Sequence, residues 1–270
     1  MGGRGTASGL STNAPRDSAA AWAATFGEAD TSTARDARRA AAPEKTFSHD
    51  PIGTHKYVNP GDEDRVADVV DWFKEHSNYS ELLDARSAAD RDADREWMSG
   101  HFMNGQQYRG FSRMSRYDQD RTRSYDRMLD KATLDAPVQV VRLATPELLF
   151  GGGATGKPTA AQLRALEGRT VISKGNMSCS AANRGLTIDW SDNPGRVGKY
   201  IEYKFHIPGG TKGAGMFIGD TRFGSWGPRQ LEFMMNRDTA WRVGKARYDS
   251  GRGCYVVDME WAGRTAHDYS

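Results

Sequence analysis

Cysteine is scarce: Cys179 and Cys254 are the only two in 270 residues. A small secreted fold stapled by disulfides needs more, so the pair is expected as two semi-buried thiols in a reducing compartment. Long apolar runs are missing too. No stretch reaches the roughly 18 apolar residues of a membrane-crossing helix, so no membrane partner is expected. The start, MGGRGTASGL, lacks the apolar segment of a Sec signal. Met1-Gly2 with Thr6 fits the loose myristoylation pattern, which short Gly/Ser-rich starts meet by chance. The expected location is the cytoplasm, or a host cell reached without a Sec signal by a virion or a secretion system. Net charge is nearly absent: 37 Lys+Arg against 35 Asp+Glu leave +2. That argues against a dedicated polyanion binder with a strongly basic face, while leaving room for a local basic patch.

Several chemical signatures are also absent. The six histidines (His49, His55, His76, His101, His206, His267) are scattered, with no HExxH and no cysteine at zinc spacing, so no metal is expected. No G-x-S-x-G elbow supports a serine hydrolase. GGGATGK (Gly151–Lys157) nearly spells a phosphate-binding P-loop, but Pro158 stands where a hydroxyl must hold Mg²⁺. It reads instead as a Gly-rich turn leading to a helix with Thr159 near its cap.

What is present falls into three stretches. Residues 1–58 are rich in small and polar side chains, with Trp22 and Phe26 the only aromatics before Phe47. Mean hydropathy is −0.72, and this stretch has too little apolar area to offset chain entropy, so it is expected as a flexible, disordered arm. Residues 59–134 form a helical region. Asp62 or Asp64 caps a helix carrying Val66, Val69, Val70 and Phe73; a second starts near Ser80 and a third spans Met114–Leu129. The Asp and Arg residues of 84–127 read as solvated faces making weak pairs. Residues 135–265 form a β-core of short runs between Gly-rich turns: VQVVRLAT, TVISKGNMSCS, KYIEYKFHI, GAGMFIG, RQLEFMMN, AWRVGKARYD and CYVVDMEW. Regular βαβ alternation is absent, which excludes a Rossmann domain.

Three of these runs carry a polar group where an apolar one belongs. By the two-residue strand period, Val138, Val140 and Arg142 share a face; Ser178 and Ser180 point one way and Cys179 the other. Gln230 and Glu232 share a face, opposite Leu231, Phe233 and Met235. A guanidinium, two hydroxyls and an amide–carboxylate pair therefore converge on one cleft. A guanidinium grips phosphate through its fork. A carboxylate stabilises the positive charge that develops when a glycosidic bond breaks through an oxocarbenium-like transition state. That inventory suits cleavage of NAD at its nicotinamide bond.

From Val138 to Trp261 the chain resembles the arginine–serine–glutamate class of mono-ADP-ribosyltransferases. That class is marked by an arginine on an early strand, an S-T-S strand and a Q/E-x-E strand. Here Arg142, Ser178-Cys179-Ser180 and Gln230-Leu231-Glu232 follow in that order. HIPGGTKGAGMFIG resembles the family's p-x-G-t-k-g-a stretch, and QLEFMMNRDTAWRV its E-x-E-x-L-L-x-R-x-x-x-F-x-V. The resemblance implies an α+β fold: a split two-sheet β-sandwich with the helical region packed on it. It implies NAD as substrate and no metal. Arg142, with Ser178, Ser180 and Trp190, would bind NAD; Ser178 would support Glu232; Glu232 would be the catalytic glutamate. Phe223 and Trp226, in the loop 220–229, would face a macromolecular acceptor with Gln230.

Two departures bear on this. Cys179 replaces the middle threonine, on the side away from the site, and Asn176 stands where an aromatic is common. Gln230 bears on the acceptor. Arginine-modifying members usually carry Glu there to pair with the acceptor guanidinium, whereas Q-x-E resembles the Rho-modifying exoenzymes, which modify asparagine, and the guanine-modifying DNA transferases. A protein side chain other than arginine is therefore favoured over a nucleic-acid base. The expected protein is a toxin, an effector or a phage-borne modifier. The alternatives are an NAD glycohydrolase on the same fold and a virion-associated structural protein with a degenerate domain.

Overall fold

The computed structural model describes residues 43–47, 63–88, 110–151, 156–181, 200–219 and 231–269. Residues 1–42 and 48–58 of the expected arm, the stretch 97–109 and residues 152–155 of the Gly-rich turn lie outside them, as do Trp190 and residues 220–230 with Phe223, Trp226 and Gln230.

Helices form where apolar residues recur at three to four positions. α1 (Glu63–His76) buries Val69 and Phe73 completely, and α2 (Tyr79–Asp84) buries Tyr79 and Leu83, four apart in each case. α3 (Arg116–Leu129) starts at Ser115, whose hydroxyl accepts the Asp118 N–H at 3.1 Å, and buries Thr122, Tyr125, Met128 and Leu129. Two short helices follow, α4 (Glu147–Phe150) and α5 (Ala160–Arg164). The second opens on a capping box between Thr159 and Gln162.

The strands are β1 (Thr133–Leu134), β2 (Val138–Ala144), β3 (Thr170–Ser173), β4 (Met177–Ser180), β5 (Ile201–Ile207), β6 (Thr211–Lys212), β7 (Gly215–Phe217), β8 (Glu232–Met235), β9 (Thr239–Asp249) and β10 (Cys254–Arg264). β1 and β6 pair as a small antiparallel ribbon, and the others join in the order β3-β9-β10-β5-β2-β4-β8-β7. Only β10 and β5 run parallel among the described pairs. One joint is weak. β2 pairs with β5 along its whole length, yet meets β4 at a single pair, Val141 opposite Ser180. The assembly is thus two sheets, β3-β9-β10-β5-β2 and β4-β8-β7, meeting at a seam.

A second link joins the sheets. TVISKGNMSCS, expected as one run, is two strands. β3 pairs with β9 in the larger sheet, and β4 pairs with β8 in the smaller. The ladder crosses from one sheet to the other at a corner where both chains bend, at residues 174–176 and 236–238, as strands that switch sheets do. A buried bend leaves ladder groups to satisfy. Asn176 Nδ2 donates to the Met235 carbonyl at 3.1 Å, and the Asp238 N–H to the Ser173 carbonyl at 2.6 Å.

α1 and α2 cover the smaller sheet. The Phe73 ring stacks on Phe217 at 4.3 Å, Tyr79 meets Phe217 edge-on, and Phe233 lies 5.9 Å from Phe73. Residues 43–47, inside the stretch expected as arm, also pack on the core. The Lys45 N–H donates to the Pro137 carbonyl, the Gln139 N–H to the Lys45 carbonyl, and Phe47 is buried beside Trp72 and Phe73.

Candidate active site at the sheet seam

Three strands deliver the site. β4 and β8 pair with Ser178 opposite Met234 and Ser180 opposite Glu232, so Ser178, Ser180 and Glu232 share one face. Cys179, opposite Phe233, lies on the other face, which the helices cover. It is 3% exposed, and burial pushes its thiol up to about 12, so it stays protonated and inert.

Arg142 comes from across the seam. On β2 it stands opposite Tyr203, with Val140 opposite Phe205 and Val138 opposite Ile207, the shared face expected from the strand period. The pairing of Val141 with Ser180 leaves Arg142 one position out of step with the serines. Alternation alone would keep it apart from them. The seam brings them together, because β2 and β4 part after one pair. Arg142 Nη1 donates to the Ser178 carbonyl at 2.5 Å. The guanidinium is partly exposed, and among the described residues it makes no ion pair.

Glu232 sits at the mouth of β8, partly exposed at its edge. Burial raises its carboxyl above the usual range; a hydrogen bond from Ser178 and the charge of Arg142 pull it part of the way back. Ser178 holds the guanidinium through its carbonyl and stands two residues along β4 from Ser180, the partner of Glu232 in the ladder.

The expected shared face of Gln230 and Glu232 lies partly outside the described residues, which resume at Leu231. β8 begins at Glu232, and Leu231, immediately before it, is in the left-handed region at φ +47°.

A second polar cluster escaped the sequence reading. Asp126 on α3 was expected on a solvated face but is 1% exposed and forms a two-oxygen ion pair with Arg237, itself 4% exposed. The weak surface pairs expected there do occur, as between Asp120 and Arg123. Nothing local distinguishes Asp126 from its neighbours. Its partner lies 111 positions away, in the stretch that resembles the family's L-L-x-R.

No group of three metal-ligand side chains occurs among the described residues. His206 is bonded to Glu44 and Asp258, and His267 to Asp130 and Asp238. No described helix is long and apolar enough to cross a membrane.

Neither a family model nor a curated protein matches the chain. Solved structures match its fold. C3stau2 from S. aureus, solved with NAD, matches at a TM-score of 0.59 and 17% identity, over 83% of this chain and 100% of its own. The C3 exoenzyme of Clostridium limosum matches at 0.59 and 12%, over 82% and 98%. Plx2a, an ADP-ribosyltransferase toxin from Paenibacillus larvae, matches at 0.55 and 16%, over 73% and 94%. The chain has the α+β, split-sheet fold of these bacterial ADP-ribosyltransferase toxins.

Proposed function

We propose that the seam binds NAD and that the chain transfers ADP-ribose from it to a macromolecular acceptor. The observation that carries this is the meeting of Arg142, Ser178 and Glu232 from three strands at the one place where the sheets part. The fold shared with a protein solved with NAD supports it.

The roles follow from the chemistry of each group. The remaining guanidinium N–H groups of Arg142 hold a phosphate oxygen, while its bond to the Ser178 carbonyl fixes its direction. The Glu232 carboxylate faces the ribose carbon as the bond to nicotinamide breaks. The bonding pair leaves with nicotinamide, which becomes neutral and needs no general acid. The carboxylate then stabilises the positive charge left on the sugar. An acceptor nucleophile bonds to that carbon and gives its proton to solvent. Ser180, opposite Glu232 in the ladder, shapes the same wall. Gln230, Phe223, Trp226 and Trp190 keep the roles the resemblance implies, the first three towards the acceptor and Trp190 towards nicotinamide. With an amide at 230 the favoured acceptor is a protein side chain other than arginine.

The test is incubation with labelled NAD and a eukaryotic-cell lysate, with portions then treated with protease or nuclease. Protease-sensitive label on macromolecules is the expected result, and nuclease-sensitive label would move the acceptor to nucleic acid. Release of free ADP-ribose alone would make the chain a glycohydrolase. No NAD consumption, with Glu232→Ala equal to the parent, would overturn both enzyme readings.

A further inference from the structure

The two edges of β2 are held differently. β5 takes one edge along its whole length, from Val138 to Ala144. The other edge is divided. β4 meets it at Val141 alone, and residues 43–47 meet it just before. There the Lys45 N–H donates to the Pro137 carbonyl at 2.9 Å, and the Gln139 N–H donates to the Lys45 carbonyl at 3.0 Å, a parallel bridge around Val138. Along this edge Lys45 stands at Val138 and Ser180 at Val141, and Arg142 follows where β4 has parted. The segment is tied on both sides of its bridge. Glu44 reaches His206 of β5 at 2.8 Å. Phe47 is 4% exposed, edge-on to Trp72 at 5.7 Å and stacked with Phe73 at 6.1 Å. Phe73 in turn stacks on Phe217 of β7. Residues 43–47 thus run from the larger sheet, at β2 and β5, to the helix that covers the smaller one.

From this geometry we infer that residues 43–47 are a clasp that sets the opening of the NAD cleft, with Phe47 as its positioning residue. The inference rests on the NAD-binding reading above. A joint of one residue pair resists tilting poorly, because each further cross-strand pair adds its own hold. Val141 with Ser180 is such a joint, and the Arg142 guanidinium bonds the Ser178 carbonyl beside it. The corner at residues 174–176 anchors the start of β4, and the clasp holds β2 on the side of the joint away from Arg142. With both held, the sheets keep one angle at the seam, and Arg142 of β2 keeps its place relative to Glu232 of β8. Packed interiors transmit such constraints because they leave little room to yield. Loss of the Phe47 packing loosens one side of the joint. Arg142 and Glu232 then remain intact but no longer meet NAD at a fixed separation, so affinity for NAD falls.

Phe47→Ala, Phe47→Leu and Leu163→Ala are compared with the parent, in the full chain, for the Kd of NAD and for the urea midpoint. Leu163 is 1% exposed on α5, which packs on β9, with β10 and β5 between that strand and β2. It reports what the loss of a buried side chain does by itself. The Kd should rise about tenfold in Phe47→Ala, as expected when a binding group loses its support, and stay within about twofold of the parent in Phe47→Leu and Leu163→Ala. Phe47→Ala and Leu163→Ala should both unfold at lower urea than the parent, so the difference in Kd separates positioning from stability. Lys45→Pro serves where Phe47→Ala does not fold. It removes the N–H bonded to Pro137, leaves Phe47 on Trp72 and Phe73, and should raise the Kd by about fivefold. A Kd equal to the parent's in Phe47→Ala and Lys45→Pro, or one raised as much in Leu163→Ala as in Phe47→Ala, would overturn the clasp and leave the transferase reading standing. A parent that binds no NAD overturns both.

Discussion

Glu232 is placed where its charge costs most and is needed most. Stabilising a sugar cation requires the ionised carboxylate, yet burial raises its pKa above 4.5, with Ser178 and Arg142 only partly offsetting the rise. NAD cleavage should therefore fall as pH drops through that raised value, further from the acid extreme than an exposed glutamate would allow. Ser178→Ala removes a bond that favours the ionised form, so the acid limb should move to still higher pH, and the pH profile of nicotinamide release measures it. An unmoved limb would mean that the Ser178 side chain does not support Glu232. Glu232→Gln keeps the shape and removes the charge, and should lower the plateau by at least about a hundredfold, the order of loss when one transition-state stabiliser is removed. These three residues were legible in the sequence because each breaks a local apolar pattern. Leu231 was not: it looks like any apolar strand position, and its backbone is set by the buried site around it.

Between residue and molecule stand the seam and the corner. Both are matters of pairing, which is why strand positions were legible and their joints were not. α1, α2 and α3 lie within a few residues of where periodicity put them, and every β-like run of the core contains a strand. But nothing in TVISKGNMSCS says that its halves belong to different sheets. The decision is made by partners some 60 residues on, and the polar bend of Lys174–Asn176 is its one local sign. The corner is held by the Arg237 guanidinium, which sits between Asp126 of α3 and Asp238. This ties the helix to the end of the strand that carries Glu232. Breaking one side of so buried a pair leaves an uncompensated charge. Arg237→Met alone should cost roughly 3–5 kcal/mol in urea unfolding. Arg237→Met with Asp126→Leu should recover part of that loss. A single substitution costing less than about 1 kcal/mol would mark the pair as no better than a surface bridge.

At the scale of the whole molecule, segments from both ends of the described chain are strapped to the same core. Residues 43–47 add a bridge beside β2, with Glu44 on His206. Residues 265–269 run back over the corner: the Thr265 N–H donates to the Asp238 carbonyl, the Tyr269 hydroxyl to Asp126, and the Phe111 and Tyr269 rings meet edge-on. The centre of this strap is His267, 8% exposed, between Asp130 and Asp238, with Asp126 at 4.0 Å and the Arg264 guanidinium beside it. Burial works against its charge, but hydrogen bonds to Asp130 and Asp238 and the neighbouring carboxylates outweigh it and raise the imidazole from 6.5 to about 9. On Asp130 burial likewise pushes upward, and His267, Asn236 and Arg264 outweigh it, holding the carboxyl near 2 rather than 3.8. The signs then fix the pH window. A raised imidazole contributes its full stability below 6.5 and loses it as pH climbs through 9; a lowered carboxylate contributes above 3.8 and loses it as pH falls through 2. Stability from the strap is thus greatest from about pH 4 to 6.5 and declines towards 9, by an amount on the order of 3 kcal/mol for His267. His267→Gln should lower the urea midpoint at pH 6 and flatten the fall between pH 6.5 and 9. A parent whose midpoint does not change over that interval, or a glutamine variant that declines as steeply, would show that the strap is held by the Tyr269 and Arg237 contacts and not by the charge on His267.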